Sequence, residues 1–133
     1  MKSNKAMEEH YYELSVLDKQ AKELVKQLEE FEQQLVEVDI SIDVIKTIYN
    51  TKKENEILVP VCPGVFAKAR LTETDKFIVN IGSGAAVERS NKEVIKLLEK
   101  QKKAISDYDL QARQHLTKIY KRIEDIEKEL KNV

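Results

Sequence analysis

Residues 57–89 read ILVPVCPGVFAKARLTETDKFIVNIGSGAAVER, and they look like no other part of the chain. Both prolines (Pro60, Pro63) and all three glycines (Gly64, Gly82, Gly84) fall inside them. Four short strands are legible. Residues 57–61 are rich in Val and Ile, and Cys62-Pro63-Gly64 turns the chain. Residues 65–71 alternate Val65, Ala67, Ala69 and Leu71 against Phe66, Lys68 and Arg70. After the polar residues 72–76, Phe77, Val79 and Ile81 share one face of a third strand. Gly82-Ser83-Gly84 turns the chain again and residues 85–89 return. The stretch therefore predicts two consecutive β-hairpins. Pro60 has no N–H to give to a ladder, so its strand is expected to be an edge there.

Isolated hairpins are marginal in water, because they cannot cover their own edges or bury both faces. This insert is expected to join hairpins of other subunits in a larger sheet or barrel, which makes it the assembly hub. The residues expected to serve that assembly are Ile57, Val59, Val61, Val65, Phe66, Phe77, Val79, Ile81 and Val87.

Outward from the insert the pattern changes. Residues 7–50 and 90–133 contain no Pro or Gly. In the first arm Met7, His10, Leu14, Leu17, Ala21, Leu24, Leu28, Phe31, Leu35, Val38, Ile42, Ile45 and Tyr49 step by three and four in alternation. Such a seam, held over many turns, predicts a coiled-coil helix. Ser90-Asn91-Lys92-Glu93 fits a capping box, with the Ser90 hydroxyl accepting from the Glu93 N–H and the Glu93 side chain reaching back to the Ser90 N–H. The second seam then runs Val94, Leu98, Gln101, Ile105, Tyr108, Ala112, Leu116, Ile119, Ile123, Ile126, Leu130 and Val133. Two successive steps of four at Tyr108–Ala112–Leu116 predict a local stutter. Folded back antiparallel, the arms match in one register, which sets Tyr49 against Val94, Phe31 against Ala112, Leu28 against Leu116 and His10 against Val133. The fold class expected is α+β: a long antiparallel two-helix coiled coil with two β-hairpins inserted between the helices, as one domain over 1–133. The chain ends then meet at the tip away from the hairpins.

Composition narrows the function. The chain has 133 residues, 35% of them charged, with a net charge of −1, which argues against general nucleic-acid binding. Sign is uneven: residues 1–56 hold 8 basic against 13 acidic side chains, and residues 90–133 hold 11 against 8, so the arms attract modestly. The one cysteine, Cys62, excludes an intrachain disulfide and suits a cytoplasmic location. No apolar run is long enough for a membrane span. His10 and His115 do not form a metal pair, and Gly82-Ser83-Gly84 lacks the setting of a dinucleotide loop. No paired acid and base, activated nucleophile, metal or cofactor site is expected, and the chain is not read as an enzyme. Lys100, Lys102, Lys103, Arg113, Lys118, Lys121 and Arg122 are expected to form a solvated face.

The order coil–two hairpins–coil, with ILVPV, GVFAKARL, TDKFIVNIGSGAAVERS and a capped helix, resembles the α-class subunit of prefoldin over essentially the whole chain. The turn Cys62-Pro63-Gly64 departs from the glycine-richer stretch usual in that family. The resemblance implies an ATP-independent holdase in which two α-class and four β-class subunits pool their hairpins into a double β-barrel. Six coils hang from it, and their tips hold non-native polypeptide for transfer to a group II chaperonin. The residues that fall at the tip here are Met7, His10, Tyr11, Tyr12 and Leu14 with Ile126, Leu130 and Val133. Tyr11 and Tyr12 lie beside the seam and are not needed for it, so they suit adaptable contact with apolar sequence. The alternatives are a purely structural coiled-coil oligomer or filament former, and a coiled-coil finger acting in a nucleic-acid machine. The second is disfavoured because such fingers carry a helix–helix turn at the tip, not free termini.

Overall fold

The structure, a computed structural model, describes residues 2–132, with the side chains of 4–132. The elements are α1 (Lys2–Tyr49), β1 (Glu56–Cys62), β2 (Val65–Arg70), β3 (Lys76–Gly82), β4 (Ala85–Ser90) and α2 (Asn91–Lys131). Two long helices with two antiparallel hairpins between them make the fold α+β, as the sequence predicts. The chain packs as two compact units, one of Met1–Val36 with Lys103–Val133 and the other of Glu37–Lys102.

In the first unit α1 and α2 run antiparallel around a narrow seam. Ala21, Leu28, Ala112, Ile119 and Ile126 are buried there, Ile126 completely. The register differs from the one expected. Phe31 stacks on Tyr108, one turn before the Ala112 set against it by the expected register, with ring centroids 6.3 Å apart. His10 meets Glu129, Nε2 to Oε2 at 3.1 Å, while Val133, the partner expected for it, lies outside the described residues. Both displacements are four residues, or one helical turn. A heptad seam slid by one turn still sets apolar rows against each other, so periodicity alone does not choose between the two registers. The choice falls on side chains with specific partners.

The seam of α2 also differs from the one expected. Along the helix the half-buried and buried positions are Leu98, Lys102, Ile105, Asp109, Ala112, Leu116, Ile119, Ile123, Ile126 and Leu130. These alternate by four and three without a stutter. Gln101 is exposed and Tyr108 is 60% exposed, so neither belongs to the seam. A hydrophobicity rule prefers Tyr108 to Asp109, whereas the 3.5-residue repeat of a supercoil demands position 109. Tyr108 instead covers Phe31 from the flank.

In the second unit Val38, Ile42 and Val94 are buried between the helices. Ile48 is half-buried where Tyr49 was expected, and Tyr49 is 53% exposed. Asn91, the first residue of α2, is the buried polar group here. Its Nδ2 donates to the Ile45 carbonyl at 3.0 Å, and its backbone N–H donates to the Asp75 carbonyl at 2.7 Å. One side chain thus ties the end of α1 to the start of α2. The N-cap forms in part as expected. Glu93 N–H donates to Ser90 Oγ at 3.2 Å, but the Glu93 carboxylate accepts the Ser90 hydroxyl rather than its N–H. Ser90 closes β4 and its side chain alone serves both bonds.

The hairpins form two separate two-stranded sheets, β1–β2 and β3–β4. Pairs run from Glu56↔Arg70 to Cys62↔Val65 and from Lys76↔Ser90 to Gly82↔Ala85. The two loops are solved differently. Pro63-Gly64, with Gly64 at φ 79°, suits a type II turn, whereas Ser83-Gly84, at φ 53° and 74°, suits type I′. Each hairpin has a bulge just before its turn, which leaves Val61 and Ile81 unpaired and 66% and 60% exposed. Leu71 N–H donates to the Asn55 carbonyl, so by alternation Pro60 occupies a position whose backbone points away from β2. Pro60 therefore costs the hairpin no ladder bond, in keeping with its edge placement.

Candidate binding and assembly surfaces

Two surfaces carry the residues singled out by sequence, one in each unit. In the first unit the early turns of α1 lie beside the last turns of α2. Arg122 grips Glu13 with two nitrogens, Nε to Oε1 at 2.8 Å and Nη2 to Oε2 at 3.1 Å. Hydrogen bonding to Arg122 lowers the Glu13 pKa from its ordinary value and raises that of Arg122. Together with His10–Glu129, this pair closes the coil near its end. Met7, His10, Leu14 and Leu130 are half-buried rungs of the seam, and Ile126 is fully buried. Tyr11 and Tyr12, in contrast, are 57% and 74% exposed. Val133 lies outside the described residues. The expected tip residues thus divide into rungs that hold the coil and two tyrosines that the coil leaves free.

Charge across the arms is more organised than the solvated face expected. Of the basic residues on α2, Arg113 bonds Glu32 at 2.8 Å, Arg122 bonds Glu13, and Lys102 meets Asp39 at 2.7 Å, all across to α1. Hydrogen bonds to Asp39 raise the Lys102 pKa, and those to Asp109 and then Glu32 raise that of Arg113. These pairs are exposed enough that each adds little to stability, but their geometry favours one register.

In the second unit the hairpins present apolar side chains on both faces. Val59, Val61, Val65, Phe66 and Ile81 are exposed, while Ile57, Phe77, Val79 and Val87 are half-buried. Leu58 and Ile78, missed by the expectation, are 62% and 74% exposed. Strict alternation assigns them to a solvent face. The signal that finds them is the run of consecutive apolar residues, Ile57-Leu58-Val59 and Phe77-Ile78-Val79, which marks strands covered on both faces. Cys62 is exposed. Among the described residues no group of acidic, His or Cys side chains is placed to hold a metal ion. No helix of the described residues is long and apolar enough to cross a membrane.

Comparison with known proteins gives a consistent result. A family model described as Prefoldin subunit matches residues 17–133. The prefoldin subunit alpha of Thermofilum pendens is 35% identical over 119 residues, covering 90% of this chain and 92% of that protein. That of Pyrococcus horikoshii is 33% identical over 132 residues, covering 98% and 89%. Among solved structures, a chain of the filamentous PFD from Methanocaldococcus jannaschii superposes with a TM-score of 0.76 at 20% identity, covering 84% of this chain and 93% of that one, a likeness of fold.

Proposed function

The chain belongs to the prefoldin family, among relatives that are α subunits, and from that premise we propose that it captures non-native polypeptide at the coil end through Tyr11 and Tyr12. Prefoldin subunits are chaperones, not enzymes, and they assemble with one another. The observation that carries the finer proposal is the exposure of these two aromatic side chains beside a seam that has no use for them. A tyrosine offers a large amphipathic surface at low entropic cost, so it can meet many apolar sequences. Each contact is weak, and several coils on one client add by avidity.

The hairpins serve assembly in this proposal. Their apolar faces and free edges join those of β-class subunits in a barrel, giving a hexamer of two α-class and four β-class chains. The bound polypeptide passes to a group II chaperonin in the cytoplasm, without ATP use by the subunit itself. The test is aggregation suppression by the assembled complex carrying Met7→Ser, Tyr11→Ser and Tyr12→Ser, with complex mass measured alongside. Weakened suppression at unchanged mass is the expected result. Full suppression removes these residues from the mechanism and leaves a purely structural module as the better description of this end.

A further inference from the structure

The second unit carries two exposed patches of opposite charge, each with an apolar centre, that neither the coil seam nor the hairpins explain. On α1, Ile40 and Val44 are 57% and 49% exposed, flanked by Glu37 and Asp43. On α2, Leu97 is 45% exposed beside a shallow groove lined by Lys96, Lys100, Arg89 and Glu93. Arg89 is held by Glu93, Nε to Oε2 at 3.5 Å. Among the described residues Glu37, Asp43, Lys96 and Lys100 have no ion-pair partner.

Their placement follows from helix geometry. Ile40 stands two residues from both Val38 and Ile42, which are buried against α2. Two residues are about 200° of turn, so Ile40 faces directly away from the seam. Lys96 and Lys100 stand two residues from half-buried Leu98 and likewise face away. Lys102 beside Asp39, and Asn91 beside Ile45, bring Leu97 level with the span from Ile40 to Val44. The acidic patch and the basic patch therefore lie back to back on the same rungs of the coil. Acidic side chains dominate the α1 side: from residue 27 to 45 there are six acidic residues and no basic one.

We infer that the α2 face around Leu97 in one copy of this chain receives the α1 face around Ile40 of a second copy, coil beside coil. The charge on each patch is what the other lacks, and each offers an apolar centre for the other to cover. Because the patches face opposite ways, one partner cannot satisfy both, and the contact is heterologous. It is small and flanked by exposed charges, hence weak and salt-sensitive. It does not rest on client capture at Tyr11 and Tyr12, and it is separate from hairpin assembly, whose apolar contacts survive salt.

The test is sedimentation velocity on the full chain at about 0.02 M and about 0.5 M salt. The wild-type chain is expected to form larger species at low salt that recede at high salt. The variant K96E/K100E has two acidic faces and the variant E37K/D43K has two basic faces. Each alone is expected to lose at least about tenfold in salt-sensitive association, and an equimolar mixture of the two regains it. All four positions are exposed, and recovery in the mixture shows that both variants fold. The inference is overturned if the wild-type chain shows no salt-sensitive association beyond the salt-resistant hairpin assembly, if that salt-sensitive part persists in either variant alone, or if it fails to return in the mixture.

Discussion

Asp109 and Arg113 hold each other one turn apart on α2, Oδ2 to Nε at 2.8 Å, while the second oxygen of the same carboxylate is buried without a hydrogen-bond partner among the described residues. Asp109 occupies a seam position that the supercoil requires to face α1, and its side chain is only 17% exposed. Arg113 divides its guanidinium between Asp109 and Glu32. A polar residue at one rung lowers coil stability and restricts the registers the helices can adopt.

Replacing Asp109 with Leu is therefore expected to stabilise the coil. An unsatisfied buried polar atom costs about 1–3 kcal/mol, and the substitution removes it while Arg113 keeps Glu32. The thermal midpoint followed by circular dichroism rises by a few degrees. The variant Asp109→Asn keeps a polar atom in the seam and brings no such gain. A fall in midpoint for Asp109→Leu shows that the Arg113 pair matters more than the stranded oxygen.

Ile126 is the one large side chain with no exposure among those described. Ile126→Ala is expected to cost about 2–4 kcal/mol of coil stability, from lost transfer energy and the cavity left behind. The loss falls in the first unit, near the end closed by Arg122 and Glu13. Hydrogen exchange of the first turns of α1 accelerates, while the hairpin amides of β1–β4 keep their protection. Unchanged exchange near Tyr11 and Tyr12 refutes a role for this rung in closing that end.

The Glu13–Arg122 pair makes a pH prediction with a definite sign. The pKa of Glu13 is lowered in the folded chain, chiefly by its hydrogen bond to Arg122. A depressed carboxyl pKa contributes stability above its unfolded value and loses it as pH falls through the folded value. The wild-type chain should therefore lose stability on acidification through the carboxylate range more steeply than Arg122→Gln, whose Glu13 has no such partner. The effect is small, because both groups are solvated. Parallel melting curves from neutral to acid pH check it, and identical pH profiles for the two chains sink it.

The residues themselves determine a great deal here. Alternation by three and four predicts both helices, and the clustering of Pro and Gly in 57–89 predicts both hairpins and their turns. Ser90 marks the start of α2 through a cap that needs only four consecutive residues. Each of these is a local property, set by backbone preference and by which face is apolar. The hairpins' second apolar faces were also legible, in the consecutive runs at Ile57-Leu58-Val59 and Phe77-Ile78-Val79.

Only the tertiary structure decided how the helices meet. Sliding one heptad seam along another by a turn exchanges one set of apolar contacts for a nearly equal set, so hydrophobic pattern is almost indifferent to register. The discriminating contacts join residues far apart in sequence: Phe31 on Tyr108, Arg122 on Glu13, and Asn91 on the Ile45 carbonyl. The place of Lys102 and Asp109 in the seam was hidden for the same reason, because a continuous supercoil overrides the local preference for Gln101 and Tyr108. The freedom of Tyr11 and Tyr12 does not depend on that register, because the spacing of α1 alone gives the seam to their neighbours Met7, His10 and Leu14.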